Sequence, residues 1–230
     1  MASPGSIRIA ADARGSNDTL RITEIFFSLQ GEARSVGRPT TFVRLTGCPL
    51  RCQYCDTAYA FTGGTSLAVD EICRRVAANP TRYVTVTGGE PLAQPGVHGL
   101  MTALADAQYE VSLETSGALD IGGVDERVVR VVDFKTPGSG EAHRNRFRNV
   151  AHLDARDQVK FVICHREDYE WAKARCVEHG LTNLVGDVLF SPSAGEMDPA
   201  ELADWILTDG LDVRFQIQLH KVLWGNEPGR

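Results

Sequence analysis

Short apolar runs rich in β-branched residues alternate along the chain with segments whose apolar residues recur at helical spacing. The apolar runs predict β-strands over residues 20–29, 40–45, 83–87, 109–113, 127–134, 158–163, 187–190 and 213–219. Helical spacing predicts helices over 66–78, 97–107, 167–179 and 199–207, with Ser66 and Asp198 as the N-caps of the first and the last. Strands that alternate with helices are typical of an α/β fold with a mostly parallel sheet.

Polar or glycine-rich residues follow one predicted strand after another. They are a cysteine loop after the second strand, Gly88-Gly89-Glu90, Glu114-Thr115-Ser116, Lys135-Thr136 and His220-Lys221. In parallel α/β folds, ligands bind at the carboxyl ends of the strands. The sequence therefore predicts that these clusters share one end of the sheet and form a single site.

The composition is that of an ordinary globular protein, with 43% hydrophobic and 23% charged residues. A formal net charge of −6 argues against a nucleic-acid-binding protein, because such proteins carry a basic balance. No apolar run reaches the ~18 residues of a membrane span. Residues 1–19 are interpreted as a disordered lead-in without the apolar core of a signal peptide, so we expect a cytoplasmic protein. Residues 20–224 are predicted to form a single domain, followed by a tail over 225–230.

Three of the six cysteines, Cys48, Cys52 and Cys55, lie in one loop with CxxxCxxC spacing. In a reducing compartment such a cluster is typical of metal ligands rather than disulfides. A structural zinc ion would need a fourth protein ligand, whereas an iron–sulfur cluster held by three thiolates would leave one iron open. The scattered cysteines, Cys73, Cys164 and Cys176, are predicted to be buried, with Cys176 the most exposed of the three.

The CxxxCxxC loop resembles the cluster motif of the radical S-adenosylmethionine superfamily, including an aromatic residue, Tyr54, before the third cysteine. The segment Thr87-Gly88-Gly89-Glu90-Pro91 is similar to the glycine-rich stretch that runs along the methionine end of that superfamily's cofactor. The resemblance implies a partial (incomplete) β/α barrel and a [4Fe–4S] cluster whose open iron binds S-adenosylmethionine. One electron from such a cluster cleaves the cofactor to methionine and a 5′-deoxyadenosyl radical.

Further segments resemble one family within that superfamily, the 7-carboxy-7-deazaguanine synthases of queuosine biosynthesis. They are Leu29-Gln30-Gly31-Glu32, Arg44, Gly47-Cys48-Pro49, Cys55-Asp56-Thr57, Glu114-Thr115-Ser116-Gly117 and Gln218-Leu219-His220-Lys221. Members of the family convert 6-carboxy-5,6,7,8-tetrahydropterin into 7-carboxy-7-deazaguanine with release of ammonia, and they require Mg²⁺. The resemblance therefore implies this lyase activity over nearly the whole predicted domain.

The resemblance also implies roles for individual residues. Arg44, Glu32 and His220 would be catalytic, with Arg44 binding the substrate carboxylate through a bidentate pair. Substrate contacts are implied for Leu29, Gln30, Gly31, Arg44 and Thr87, a Mg²⁺ contact for Thr57, and cluster ligation for Cys48, Cys52 and Cys55. S-adenosylmethionine contacts are implied for Tyr54, Cys55, Asp56, Gly88, Gly89, Glu90, Glu114, Ser116 and Lys135.

Two departures limit what the resemblance implies. The family often ends with a short Asn-Ile-Pro-like tail beside the substrate, whereas this chain continues from Val222 to Arg230. Ser191-Pro192-Ser193 stands where relatives often have Gln-Pro. We therefore carry over no substrate contact from the tail and no adenine contact from the serines.

Two alternatives remain open from the sequence. One is an activating enzyme for a glycyl-radical enzyme, which shares the CxxxCxxC motif; the other is a zinc-binding interaction module using the three clustered cysteines and His220. The expected partners are the pterin, a flavodoxin- or ferredoxin-type reductant and a second copy of the chain, with no nucleic acid or membrane. The arginines Arg144, Arg146 and Arg148 are interpreted as a solvated loop rather than a docking patch.

Overall fold

Nine β-strands form one continuous sheet in the computed structural model, which describes residues 19–225, 227 and 229. The strands are β1 (Thr19–Leu29), β2 (Pro39–Leu45), β3 (Thr65–Ala68), β4 (Tyr83–Gly88), β5 (Glu110–Thr115), β6 (Val129–Asp133), β7 (Gln158–Ile163), β8 (Asp187–Pro192) and β9 (Arg214–Phe215). The α-helices are α1 (Val69–Ala77), α2 (Val97–Asp106), α3 (Arg166–His179), α4 (Leu181–Leu184), α5 (Pro199–Asp209) and α6 (Leu219–Trp224).

The sheet is open and mostly parallel. Its spatial order is β3-β1-β2-β4-β5-β6-β7-β8-β9. Strand β1 runs antiparallel to both of its neighbours, and every other pair is parallel. Helices follow most of the parallel strands, as a crossover connection requires. The predicted α/β class and the incomplete barrel are both confirmed.

Helix packing encloses one apolar core on the outer side of the sheet. Helix α1 packs on β1 and β3, α2 packs on β5, and α3 packs on β7. Branched side chains of the strands and the helices' apolar faces make up this core, including Val43, Val86, Leu104 and Phe161. The predicted N-cap of α5 is confirmed, because the Asp198 carboxylate accepts a hydrogen bond of 2.9 Å from the Ala200 amide.

The helix predicted over 66–78 begins three residues too early. Thr65–Ala68 instead form the edge strand β3, which pairs with Thr19–Ile22 of β1. Helix α1 therefore begins at Val69, and Ser66 is not its N-cap. The cause is a tertiary contact. Ser66 and Leu67 pair with β1, so their backbone groups are satisfied in the sheet and are not available to the first turn of a helix.

The strand predicted over 213–219 is also wrong over most of its length. Only Arg214–Phe215 pair with β8. The next residues bridge to the loop after β1: the Gln216 side chain accepts from the Ala33 amide at 2.6 Å and donates to the Ala33 carbonyl at 2.9 Å. The Leu219 amide then donates to the Gly31 carbonyl at 3.0 Å as α6 begins. These contacts, which we call the terminal bridge, join the last strand to the loop at 30–34.

Two smaller predictions need correction or restriction. Cys176 is 4% exposed, whereas Cys164 is the partly exposed cysteine of the scattered three, because Cys176 lies on the core face of α3. The polar stretch 139–157 contains short 3₁₀ turns, with Asn149 buried. The predicted lead-in lies outside the described residues except for Thr19, which is the first residue of β1.

Candidate active site

The cysteine loop follows β2 and is fixed from two sides. The Gly47 amide donates to the Ala60 carbonyl at 2.8 Å, and the Gln53 amide donates to the Ser139 carbonyl at 3.1 Å. On the other side the Glu90 amide donates to the Gly47 carbonyl at 2.8 Å. A side chain adds to this, since the Glu141 carboxylate accepts from the Arg51 amide at 2.7 Å, and the three cysteine side chains remain free to face the cavity.

The glycine pair after β4 allows this loop to lie against the end of the strand. A Cβ on Gly89 would lie 2.2 Å from the Gly47 carbonyl oxygen and 2.9 Å from Cys48 Cβ. Gly88 has a φ of 149° and would place a Cβ 2.3 Å from the Leu45 carbonyl oxygen. Only glycine permits so close an approach of two backbones. The glycines therefore position the cysteines as well as lining the cavity.

The thiols fit an iron–sulfur cluster better than a single metal ion. No group of three His, Cys, Asp or Glu residues in the described part of the chain could hold one ion, which argues against the zinc site with His220. A [4Fe–4S] cluster has no such requirement, since each thiolate binds a different iron. Burial raises the pKa of Cys48 and raises that of Cys52 to about 11, so the thiolates need nearby positive charge such as iron provides.

A cavity of about 540 Å³ lies at the carboxyl ends of the central parallel strands, within the usual size range of ligand sites. It contains nearly all the residues that the sequence singled out. The predicted site residues on its wall are Leu29, Gln30, Gly31, Glu32, Arg44, Cys48, Cys52, Tyr54, Cys55, Asp56, Thr57, Thr87, Gly88, Gly89, Glu114, Ser116, Lys135 and His220. The strand-end clusters thus share one site, as their positions after the strands predict.

Glu90 is the exception among the predicted site residues. It is fully buried beneath the wall of the cavity and does not line it. Its carboxylate accepts hydrogen bonds from the Leu92 amide at 3.0 Å, from the Thr115 hydroxyl at 2.9 Å and from the Ser116 amide at 2.8 Å. The predicted direct contact with the cofactor does not match this position. Glu90 instead fixes Ser116, which does face the cavity.

Arg44 is held at the wall by a carboxylate and two aromatic rings. Its Nε donates to Glu24 Oε1 at 2.7 Å, and the same oxygen accepts from the Tyr59 hydroxyl at 2.8 Å. The guanidinium carbon lies 5.6 Å from the centroid of the Phe26 ring and 6.0 Å from that of Tyr59. Among the described residues, the two terminal nitrogens have no hydrogen-bond partner. They are the edge that can bind a carboxylate.

Two carboxyl groups, those of Glu32 and Glu114, lie near each other on the wall of the cavity. We call this part of the wall the substrate side. Glu32 forms an ion pair with Lys160 and accepts from Gln218 Nε2 at 2.6 Å. Glu114 accepts from Gln30 Nε2 at 3.2 Å and from the Thr87 hydroxyl at 3.0 Å. Burial alone would raise the pKa of both. The ion pair with Lys160 outweighs it and lowers the pKa of Glu32, whereas burial and the charge of Glu32 raise that of Glu114.

A row of buried charged side chains runs from Glu32 to the cysteine loop. Asp133 lies 3.0 Å from the Lys135 ammonium and 3.9 Å from that of Lys160. Lys135 in turn lies 5.8 Å from the centroid of the Tyr54 ring, beside the cysteine loop. Burial lowers the pKa of both lysines, but the neighbouring carboxylates outweigh it and raise it. Both lysines are therefore ammonium ions at neutral pH.

The end of the cysteine loop meets helix α6 across the cavity. Asp56 forms an ion pair of 3.0 Å with Lys221, and the Thr57 hydroxyl donates to Asp56 Oδ1 at 2.7 Å. Burial would raise the pKa of Asp56, but Lys221 outweighs it and lowers it. His220 packs so closely on Gly31 that a Cβ there would lie 2.2 Å from Nδ1, and burial lowers the pKa of His220.

Sequence reasoning missed several side chains of the site. They are Glu24, Tyr59, Asp133, Lys160 and Gln218, all of which line the cavity or bind a residue that does. Lys160 had a usable signal, because it interrupts an otherwise apolar run in a strand that is buried at all six positions. A buried lysine needs a counter-ion, so its position alone pointed to an acidic partner.

An open, mostly parallel sheet with three free thiols beside a glycine turn is typical of radical S-adenosylmethionine enzymes, and the family model described as Radical SAM superfamily matches residues 42–133. The chain is 44% identical over 208 residues to the 7-carboxy-7-deazaguanine synthase of Chlorobaculum tepidum, covering 89% of this chain and 94% of that protein. It is 43% identical over 222 residues to that of Koribacter versatilis, covering 90% and 98%. The chain belongs to the family of the 7-carboxy-7-deazaguanine synthases.

Solved structures support the fold. QueE from Escherichia coli superposes with a TM-score of 0.72 at 20% identity, over 88% of this chain and 95% of that one. SuiB from Streptococcus suis, bound to its precursor peptide SuiA, superposes with a TM-score of 0.56 over 77% and 48%. Family membership makes the chain a radical S-adenosylmethionine enzyme of the queuosine pathway and implies a [4Fe–4S] cluster and S-adenosylmethionine. No helix in the described part of the chain is long and apolar enough to cross a membrane.

Proposed function

We propose that this chain converts 6-carboxy-5,6,7,8-tetrahydropterin into 7-carboxy-7-deazaguanine and ammonia. The observation that carries the proposal is that three thiols and a carboxylate-binding arginine face one cavity. Ammonia is the only fragment that the substrate loses, so the reaction is redox-neutral overall, and a hydrogen atom removed from the pterin must be replaced. A cavity that encloses both reactants supports such a reversible transfer.

The cofactor side would be formed by the cysteine loop and the neighbouring strand ends. Cys48, Cys52 and Cys55 would hold the [4Fe–4S] cluster, and Gly89 and Ser116 would bind S-adenosylmethionine beside it. When bound, these groups would supply a 5′-deoxyadenosyl radical that takes a hydrogen atom from C6 of the pterin. The chain's own part is to position the reactants and to exclude water from the loop.

The substrate side would bind a flat, anionic, hydrogen-bonding molecule. Arg44 offers its terminal nitrogens to the carboxylate, and its contacts with Glu24 and two rings fix the direction of the fork. The amino-pyrimidinone ring of a pterin presents N–H donors, and the Glu32 carboxylate in the cavity wall can accept from them. This complementarity supports a small pterin over the protein loop that an activating enzyme must admit.

We also propose that Thr57 binds Mg²⁺ through its hydroxyl. Thr57 lies two residues after the last cysteine and lines the cavity, and its hydroxyl donates to Asp56. A Mg²⁺ ion keeps several waters and takes further oxygens from its substrate, so one protein hydroxyl is a sufficient anchor. The Thr57→Ala variant should lose Mg²⁺ stimulation, whereas Thr57→Ser should keep it.

The direct test is anaerobic incubation of the reconstituted protein with S-adenosylmethionine, a reductant, Mg²⁺ and the carboxy-tetrahydropterin. The expected products are 7-carboxy-7-deazaguanine and one equivalent of ammonia. A protein with full iron content that cleaves S-adenosylmethionine but forms no deazapurine would refute the proposed substrate. Retention of turnover after chelation of Mg²⁺ would refute only the role of Thr57.

The family resemblance further supports a homodimer and a flavodoxin or ferredoxin as electron donor. Exposed apolar side chains, among them Phe27, Val222 and Leu223, are consistent with a protein contact. Light scattering at micromolar concentration should give twice the mass of the 25.1 kDa chain. A monomer under the same conditions would contradict this part of the proposal.

A further inference from the structure

Lys160 is a buried cation in the wall of the cavity for which the family motifs give no role. It lies in the middle of β7, a strand buried at every position, and its side chain is 9% exposed. A lysine in such a place is costly unless carboxylates compensate its charge. Its ammonium group forms an ion pair with Glu32 and lies 3.9 Å from Asp133. Strand β7 therefore places the ammonium group of Lys160 beside the Glu32 carboxylate.

The two carboxyl groups of the substrate side receive different hydrogen-bond donors. Glu32 is bound by the ammonium group of Lys160 and by the Gln218 amide. Within the described part of the chain, the hydrogen-bond donors to Glu114 are both neutral, the Gln30 amide at 3.2 Å and the Thr87 hydroxyl at 3.0 Å. A cation stabilises the ionised form of a buried carboxyl group far more than neutral donors do. Two carboxyl groups in contact with one cavity are thus given unequal environments.

We propose that Lys160 is a positioning residue that holds Glu32 as an oriented carboxylate and thereby leaves the neighbouring Glu114 protonated. The assignment rests on the proposed function, in which Glu32 faces the pterin, and it adds that Glu114, for which the resemblance implied a cofactor contact, faces the pterin as well. The site then presents a charged acceptor and a neutral donor side by side. A pair of carboxyl groups whose environments separate their protonation states is the arrangement that acid and base chemistry requires.

The other charges around the pair act in both directions: Asp56 opposes the ionisation of Glu32, and Lys160 and Arg44 favour that of Glu114, but they are outweighed by the Lys160 ion pair at Glu32 and by burial and the Glu32 charge at Glu114. The groups that face Glu32 are Lys160 from β7, Asp56 from the cysteine loop, Glu114 from β5 and His220 from α6. Those that face Glu114 are Glu32, Lys160 and Arg44. The direction of the shifts follows, since the pKa of Glu32 is lowered and that of Glu114 is raised. Near neutral pH, a proton therefore resides on Glu114 before it resides on Glu32.

A double-mutant cycle tests whether Lys160 acts through Glu32. We expect Lys160→Met to lower kcat/KM about 30-fold or more, because it leaves a buried charge without its partner. On an E32Q background the same substitution should change kcat/KM by less than about threefold, since the carboxylate it serves is gone. Lys160→Arg should retain part of the activity. Additive losses, or full activity of K160M, would overturn the proposal.

The matched control is Lys173→Met, which removes a lysine of helix α3 that pairs with Asp209 of helix α5, away from the cavity. It should leave kcat/KM unchanged.

The acid limb of the pH profile supplies a readout that a purely structural role would not move. In K160M, the loss of the cation should raise the pKa of Glu32, so the limb should shift to higher pH than in the wild type.

A second measurement needs no change at Lys160 and no turnover. Infrared difference spectra of the cluster-loaded protein in H₂O and D₂O report the carbonyl stretch of a protonated carboxyl group. The band should disappear in Glu114→Gln, and it should weaken or vanish at neutral pH in Glu32→Gln, because the charge that keeps Glu114 protonated is then gone. A band that persists in E114Q or is unchanged in E32Q, or its absence from the wild type at neutral pH, would overturn the assignment. Failure of the proposed function would appear separately, as a wild-type protein that shows the band but forms no deazapurine.

Discussion

Replacing Arg44 by alanine should separate substrate binding from cofactor cleavage. The substitution removes the terminal nitrogens proposed to bind the pterin carboxylate. Arg44 has a side-chain exposure of 16%, so its interaction with an anion is only weakly screened by solvent. Truncating one partner of a buried, hydrogen-bonded charge pair costs about 2–5 kcal/mol, and we take about 2–3 kcal/mol because the cavity is partly open. The Kd for the substrate should then rise about 30- to 150-fold.

The same change has a second, smaller consequence for stability. Without Arg44, the Glu24 carboxylate still accepts the hydrogen bond of 2.8 Å from the Tyr59 hydroxyl. Loss of one charge-assisted hydrogen bond should cost about 1 kcal/mol, which lowers Tm by about 2–4 °C in a chain of this size. Arg44→Lys should recover the charge but not the bidentate geometry, and so restore only part of the affinity.

Equilibrium binding under anaerobic conditions measures the Kd for the pterin. Formation of 5′-deoxyadenosine without substrate measures cofactor cleavage, which R44A should retain. Arg82→Ala is the matched control, because Arg82 precedes β4 at the opposite end of the strand and pairs with Glu110. An R44A protein with wild-type affinity for the pterin would refute the carboxylate-binding role. Loss of cofactor cleavage together with binding would instead indicate a damaged cysteine loop.

Further predictions concern the cluster, the glycine turn and a helix cap. Cys52→Ala should lower the iron content and remove the cluster's visible absorbance, whereas Cys176→Ala, in the core of α3, should leave both unchanged. Gly89→Ala should displace the cysteine loop and reduce iron loading; Gly99→Ala, with open space at its Cβ inside α2, should stabilise the fold by about 0.5–1 kcal/mol in chemical denaturation. Asp198→Ala should cost about 1 kcal/mol of unfolding free energy without changing kcat, since it removes only the N-cap of α5.

Local pattern was enough to predict the parallel strands and the end of the sheet at which the site lies. Each of β4, β5 and β6 is a short β-branched run followed by polar residues, and this signal is contained in about ten adjacent residues. The cysteine loop and the glycine pair are likewise continuous in sequence. The elements that local pattern misassigned depend on distant partners. Ser66 is in a strand because β1 lies beside it, and Gln216 leaves its strand because Ala33 binds its side chain.

The same reason explains which parts of the candidate site were missed. Lys160 and Asp133 acquire a role only when β6 and β7 bring them beside Glu32, which comes from the loop after β1. Glu90 was assigned to the cofactor because its motif places it next to the glycines. Its side chain nevertheless turns away from the cavity, because its carboxylate accepts hydrogen bonds from the buried Thr115 hydroxyl and Ser116 amide at the end of β5. The orientation of such a side chain depends on tertiary packing and cannot be deduced from the spacing of residues in a motif.

The terminal bridge joins residues that are far apart in the sequence. The stretch from Cys48 to Lys135 is continuous, whereas Gln216 contacts Ala33 across 183 residues. Contacts of such high sequence separation must overcome the entropy of closing a long loop, so we expect the terminal bridge to form late in folding. Local opening of β9 and α6 would break the contacts with Ala33 and Gly31, whereas the backbone hydrogen bonds of the cysteine loop to Ala60 and Ser139 would stay in place. Hydrogen exchange should therefore be faster at the Leu219 amide than at the Glu90 amide.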